Sequence, residues 1–342
     1  MKKRKSVSEN YTFLLLGLLV VILVVFTITK SSTLWSLPTW KSMSMQFPEY
    51  GVLTLGVMIC FISGCIDVSF VALGNFASII GTMLMLQVSE GNIPEEQAGL
   101  MIILGILLAL VVGGIGGYIN GNLISRLGIP PILATLATQQ VFTGLSIALT
   151  KGYAVTGIPP IYSEVGHISL FGILPVRLLV FIIVFLIFAF LLKYTVFGKK
   201  LYMIGSNPKA AKFSAINTTK MINTTFVING VCAAIGALLM VATMNSAKAD
   251  YGSSYLMRCI LILVLAGVLP SGGMGKILNV LISIITIQII ATSVNMFPEL
   301  NSYYGSLISA ALLLVVLMAT TRLLGERKFR RAEKKELPKE TT

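Results

Sequence analysis

The chain has 342 residues, of which 56% are hydrophobic and only 11% charged, with a formal net charge of +13 at pH 7. A soluble domain carries about 25% charged residues, so this chain has too little polar surface to cover itself in water. Its apolar runs do not alternate as barrel strands do, and several approach the roughly 20 residues that cross about 30 Å of hydrocarbon. The expected fold is an all-α integral membrane protein of about 10 transmembrane helices.

Lys2, Lys3, Arg4 and Lys5 open a basic N-terminal segment, residues 1–10, ahead of the first predicted span at 11–29. Positive charge favours the cytosolic side, so the N-terminus is expected inside. The first apolar run is long and no small-residue cleavage site follows it, which argues against a cleaved signal. Trp35, Pro38 and Trp40 then read as an outer-surface loop, since tryptophan favours the interface. Spans two and three, 48–66 and 68–88, are joined by Ser63-Gly64-Cys65-Ile66-Asp67-Val68-Ser69. Asp67 is the only acidic residue between Glu49 and Glu90. A carboxylate at membrane depth costs a few kcal/mol and usually faces a polar interior; with Ser69 it is also placed to cap the third helix, and the two readings are compatible.

Glu90, Glu95 and Glu96, with no basic neighbour, fit an outer segment at 89–97. Span four, 98–122, is rich in small residues (Gly113, Gly114, Gly116, Gly117, Gly121) that let a neighbouring backbone approach. Asn120 and Asn122 fall near its inner end, and Arg126 marks a short cytosolic turn. Pro130-Pro131 starts span five, 130–150, with Thr135, Thr138, Gln139 and Gln140. A long outer loop, 151–175, holds Tyr153, Tyr162, Glu164 and His167, and span six covers 176–194.

Residues 195–222 form the longest polar interruption, with Lys199, Lys200, Lys209, Lys212 and Lys220 and no acidic residue. Gly205-Ser206-Asn207-Pro208 reads as a turn into a short helix. The Asn207 side chain can accept a bond from a free N–H of the first turn, and Pro208 fits the first helical position. Ala210, Phe213 and Ile216 are expected on one side. Lys209 and Lys212 lie near the positive end of that helix dipole, where cations are unfavourable. That points to an outside target, such as an acidic partner or lipid headgroups; an ordinary basic loop is the plain alternative. Span seven (223–246), an outer connection with Lys248 and Asp250, a short span eight (256–269) with a re-entrant segment as the alternative, and spans nine (277–297) and ten (304–321) follow. The membrane domain is thus 11–322, with a charged cytosolic tail at 323–342. This topology leaves only Lys30, Lys41, Lys151, Arg177, Lys248 and Arg258 of the 26 basic residues outside.

The basic residues cluster as the positive-inside rule requires, not as a nucleic-acid footprint, so no nucleic-acid partner is expected. Cys60, Cys65, Cys232 and Cys259 lie in apolar runs without a CxxC pair and read as small buried hydrophobes. With His167 the only histidine, a zinc site or a Ser-His-Asp triad is not expected, and neither metal, cofactor nor catalytic residue is assigned. Gly272 to Lys276 superficially resembles a phosphate loop, but Pro270 and Ile277 break the motif; the chain is expected not to hydrolyse ATP itself, and the glycines to form a tight turn. Within or beside the spans, Asp67, Ser69, Asn75, Asn120, Gln139, Asn229, Asn245 and Gln288 are the polar candidates for a translocation path. Uncharged polar groups suit a hydroxylated solute such as a sugar; interhelical hydrogen bonding, under about 1 kcal/mol each, is the alternative for every one. With Asp67 the only clear buried carboxylate, ion coupling is disfavoured.

Gly64-Cys65-Ile66-Asp67-Val68-Ser69 resembles the G-G-I-D-L-S-V-G signature of permease subunits in the ribose, simple-sugar and autoinducer-2 class of ABC importers. Asn120-Gly121 followed by Ile132-Leu133-Ala134-Thr135-Leu136 is similar to that family's NG…FIVTL stretch. Phe197-Gly198-Lys199 through Ile204-Gly205-Ser206-Asn207-Pro208-Lys209-Ala210-Ala211 resembles its FGR…AIGgNxxAA segment, and Gly267 to Gly275 takes the place of its GGxxxxGGxG turn. The four motifs come in the family's order over about residues 48–320. The resemblance implies two permease subunits, identical or related, two cytosolic ATP-binding subunits and an extracytoplasmic solute-binding protein, in a bacterial plasma (inner) membrane. It also implies that Gly198, Lys199, Gly205, Ser206, Asn207, Lys209, Ala210, Ala211, Lys212 and Phe213 belong to the loop that couples to the ATPases. The chain departs from the pattern at Val71, near Met257-Arg258, where an acidic residue is usual, and at Ala266, which replaces a glycine. A sugar or sugar-like solute is therefore the expected cargo. An ion- or proton-coupled secondary transporter, a nucleoside or amino-acid ABC permease, and a non-transporting membrane scaffold are the alternatives.

Overall fold

The computed structural model describes residues 2–89, 94–170 and 174–297, together with Leu307, Ala310, Ala311, Leu314 and Met318. In chain order the helices are α1 (Lys2–Leu34), α2 (Leu37–Ser63), α3 (Phe70–Ser89), α4 (Ala98–Ser125), α5 (Pro131–Thr150), α6 (Pro160–His167), α7 (Val176–Tyr194), α8 (Val196–Ser206), α9 (Pro208–Phe213), α10 (Thr218–Met244), α11 (Ser253–Leu265) and α12 (Ile277–Val294). Two small antiparallel pairs join β1 (Val155–Thr156) to β4 (Ser246–Ala247), and β2 (Ser169–Leu170) to β3 (Leu174–Pro175). Among the described residues, eight helices are long and apolar enough to cross a membrane: α1, α2, α3, α4, α5, α7, α10 and α12. The eighth predicted span is α11, whose 13 residues extend only about 20 Å at 1.5 Å per residue. The tenth predicted span and the charged tail lie outside the described residues but for those five isolated positions.

Two expectations change in detail. The Trp35–Trp40 stretch is not a loop: α2 starts at Leu37, with Pro38 in its first turn, and the two indole rings lie 5.7 Å apart. The polar interruption at 195–222 is two short helices, α8 and α9, running into the start of α10.

The bundle is built around α2 and α10. Every residue of α2 from Pro48 to Ser63 is buried. The seam between α4 and α10 is possible because the facing positions are small. A Cβ at Gly113 would meet the Gly230 carbonyl, and one at Gly117 would meet that of Phe226. In a membrane, where lipid is as apolar as leucine, such close backbone packing is a main source of helix association.

Candidate functional site

The link between α2 and α3 makes the first polar centre. α2 ends at Gly64 in the left-handed conformation, φ 84°, with its N–H bonded back to Phe61 O; glycine adopts this geometry without the steric cost of a Cβ. Three residues on, Asp67 is 1% exposed. Its Oδ1 accepts from Ser69 N at 2.8 Å and Ser69 Oγ at 2.7 Å, and its Oδ2 accepts from Asn229 Nδ2 at 2.7 Å. Asn120 Nδ2 donates to Ser69 Oγ at 2.8 Å. Asp67 therefore holds Ser69, the residue just ahead of α3, and faces a polar interior, drawing α4 and α10 to the link. Thr135 of α5 accepts from Val68 N at 3.3 Å. The Oδ1 atoms of Asn120 and Asn229 are buried without a partner among the described residues.

A second centre lies at the other end of the bundle. On α10, Thr243 is 14 residues from Asn229, about 21 Å along the axis. Glu49 of α2 is 3% exposed. Its Oε1 accepts from Arg177 of α7 at 3.3 Å and from Thr243 Oγ1 at 2.5 Å, and its Oε2 from Tyr255 of α11 at 3.0 Å. Arg177 also donates to Thr243. Next to them the Arg258 guanidinium lies over the rings of Tyr50, at 5.2 Å, and Tyr255, at 5.6 Å. Tyr50 donates to Gln288 Oε1 at 2.7 Å, and Gln288 Nε2 donates to Gln46 Oε1 at 3.0 Å, tying in α12. A cavity of about 520 Å³ opens on this centre.

Sequence reasoning missed this second centre. It gave Asp67 as the only clear buried carboxylate and left Arg177 among the outer charges; Glu49 and Arg177 are instead a buried ion pair. The available signal was modest. Glu49 follows Pro48 at the head of a charge-free run, and Arg177 follows Pro175 at the head of another, so opposite charges stood at the same end of two spans.

The eight polar candidates thus divide. Asp67, Ser69, Asn120 and Asn229 form one cluster, and Gln288 joins the opposite one. Asn75 donates to Ala249 O at 2.9 Å and Tyr251 O at 2.8 Å, which fixes the connection ahead of α11. Asn245 is the exposed left-handed residue, φ 49°, that ends α10. Gln139 is half-buried on α5 and joins neither cluster.

The third feature is α8–α9. Asn207 caps α9 as its sequence requires, its Oδ1 accepting from Ala210 N at 3.0 Å, with Pro208 in the first turn. The seated side differs from the expected one: Ile204, Ala211 and Ile216 pack together, while Ala210 is exposed and Phe213 is 93% exposed. The helix stops at Phe213 and Ala215 turns left-handed, φ 57°, so the step from 213 to 216 is not helical. Lys199, Lys200, Lys209 and Lys212 are exposed as well, whereas Gly198 is buried. α8 is fixed to the bundle through backbone. Gly273 N donates to Ile62 O at 2.8 Å, and a Cβ at Gly205 would strike both Ile62 O and Gly273 N. Gly273 in turn packs on Ser206. Tyr202 donates to Gly275 O at 2.8 Å, and burial pushes its phenol pKa up to about 12. The glycine stretch near 270–276 is therefore a tight turn, with positive φ at Gly272, Gly273 and Gly275, wedged between α8 and the end of α2.

The chain is thus a multi-helix membrane bundle with a polar cluster at each end and a capped helix held out from one of them. Residues 41–317 match the family described as branched-chain amino acid transport system / permease component, and the chain belongs to it. It is 31% identical over 273 residues to the autoinducer 2 import system permease protein LsrD of Yersinia enterocolitica, covering 78% of each chain. It is 29% identical over 309 residues to the proteins of that name from Yersinia pestis and Yersinia pseudotuberculosis, covering 88% of this chain and 89% of theirs. No solved structure matches it. The protein is a permease subunit of an ABC importer, a multi-pass component of the plasma (inner) membrane. As such it is a transport subunit that works with ATP-binding and substrate-binding partners.

Proposed function

We propose that this chain lines the translocation path for a sugar-like solute such as autoinducer 2, with α8–α9 as the element on which two cytosolic ATP-binding subunits dock. Both termini and α8–α9 lie in the cytosol in this reading, and the Glu49 end faces out, toward an extracytoplasmic binding protein that delivers the solute. Two permease subunits, identical or related, enclose the path. The chain carries no ATPase motif of its own, so the energy comes from its partners.

One observation carries this reading. α9 holds Phe213, 93% exposed, between exposed lysines, on a helix whose other side is seated on the bundle. An aromatic ring held out in water has no stabilising role in the free subunit, but it fits an apolar notch with an acidic rim on a partner. The path from there to the interior is short: α8 bears on Ile62 and on the glycine turn, and Ile62 lies five residues from Asp67. Movement of α8–α9 on nucleotide binding reaches the Asp67 cluster through backbone contacts, with little side-chain slack to absorb it. Alternating access then consists in opening the Asp67 end while the Glu49 end closes, and the reverse.

The family's description favours a second reading, a branched-chain amino acid as the solute; the relatives' name favours the first. The buried pair at Glu49 removes the scarcity of buried carboxylates as an argument against ion coupling, and membership of an ABC importer family takes its place. Changing Lys209 and Lys212 together to Glu is expected to abolish co-purification of the ATP-binding subunits while membrane insertion stays normal. Unchanged co-purification would overturn the docking role of α9.

A further inference from the structure

The cavity beside Glu49 has lining charge that its own residues do not balance. Lys41, Arg177 and Arg258 supply three positive charges against the single carboxylate. Both oxygens of that carboxylate are engaged, Oε1 by Arg177 and Thr243 and Oε2 by Tyr255. The groups left over are donors. Arg177 is 3% exposed, yet its Nε–H has no partner among the described residues, and a buried charged donor without an acceptor costs free energy that an acceptor would recover. Arg258 forms no ion pair among the described residues; it rests on the faces of Tyr50 and Tyr255, an arrangement that leaves the edge of the guanidinium available. Such an edge matches a carboxylate through two parallel hydrogen bonds. The half-buried Tyr255 ring offers an apolar wall against which the C–H face of a sugar ring can lie. The volume of about 520 Å³ is within the usual range for small-molecule sites.

We infer that this cavity is a subsite for a small sugar-like solute bearing a carboxylate, with Arg258 and Arg177 as its donors, and that it prefers such an anion to the neutral sugar. The inference deepens the importer reading, in that it places the solute at the end proposed to face the binding protein, but the binding itself needs no ATP-binding subunit. The test uses the full-length permease purified in detergent, with equilibrium dialysis against labelled D-glucuronate and D-glucose and unlabelled acetate as competitor. Glucuronate is expected to bind about tenfold tighter than glucose, a difference of roughly 1.4 kcal/mol. Arg258→Gln should remove that advantage, read as the ratio of the glucuronate and glucose affinities falling to about one. Lys41→Glu, at the exposed rim and far from the packed interior, should narrow it and serves if the Arg258 variant does not fold. Equal binding of the two sugars, an advantage that survives both variants, or acetate displacing glucuronate as well as glucuronate does would each overturn the inference. Failure of this binding with ATPase co-purification intact removes the subsite alone; loss of the importer reading, by contrast, would be seen in co-purification and would leave the dialysis result standing.

Discussion

The bundle buries one carboxylate at each end and satisfies them by different means. Asp67 stands in the link between helices, where the backbone N–H of Ser69 is not taken up by a helix, so a residue two positions away supplies two of its three hydrogen bonds and only Asn229 comes from a distance. Glu49 sits inside α2, where the backbone donors are already used. Its partners come from α7, α10 and α11, separated from it by 128, 194 and 206 positions, and one of them is a cation. The Asp67 centre is therefore largely a local cap that two other helices share. The Glu49 centre is a clamp that exists only when four helices have assembled. A cap made with neutral donors can change its distant partner and keep its own fold. A buried ion pair cannot lose one member without leaving the other unpaired.

The largest expected effect tests that asymmetry directly. Glu49→Gln leaves the Arg177 charge buried and uncompensated and should cost about 3–5 kcal/mol, read as a large fall in the unfolding temperature of the purified protein. Combining it with Arg177→Met should restore most of the loss, because a hydrophobic replacement of both members of such a pair is often near neutral. A double variant no more stable than the single one would show that the pair is not the unit. At the other end, Asp67→Asn sets an amide donor against the Asn229 amide or the Ser69 N–H and should cost about 1–3 kcal/mol, with reduced uptake. Adding Asn229→Asp exchanges donor and acceptor across the same contact and should recover stability. No recovery would mean that the local cap, rather than the tie to α10, is what Asp67 contributes.

The unequal legibility of the two centres follows from the same physics. Asp67 was readable because Ser69, which supplies two of its bonds, is two positions away; the Asn207 cap of α9 was readable for the same reason, and the small residues of α4 were readable from composition although they face α10. Nine of the ten expected spans correspond to observed helices, since length and hydropathy are also local properties. Glu49 was not readable as a buried group. A charge at the edge of an apolar run looks the same whether it faces headgroups or a partner three helices away, and only assembly distinguishes the two. The seated side of α9 was misread for a related reason: the helix ends at Phe213, and a 3.6-residue period carried past its end gives the wrong face.

Two smaller effects concern how the Asp67 end is connected to α8–α9. Gly205→Ala places a methyl group against the Ile62 carbonyl and the Gly273 amide, which are backbone atoms with no rotamer to yield. Overpacking of this kind costs about 1–3 kcal/mol, and the strain should loosen α8, so transport-coupled ATP hydrolysis in the assembled importer is expected to fall more than stability does. Hydrolysis that still responds fully to solute would show that the glycine contact does not transmit movement.

The smallest change in stability is expected from Phe213→Ala. The ring is 93% exposed, so its removal takes away almost no packing, and the unfolding temperature of the isolated permease should move by no more than about 0.5 kcal/mol is worth, as for other surface substitutions. Its effect should appear only in the presence of the ATP-binding subunits. An aromatic anchor buried at an interface typically contributes about 2 kcal/mol or more, equivalent to a loss of more than tenfold in affinity, which a pull-down at matched concentrations would detect. The contrast between the two measurements is the informative quantity. A drop in both would make Phe213 a structural residue that the free subunit needs, and a drop in neither would leave the lysines as the sole recognition elements of α9. A drop in co-purification alone is what an outward-facing anchor requires, because the ring then has its energetic consequence in the complex and none in the bundle that presents it.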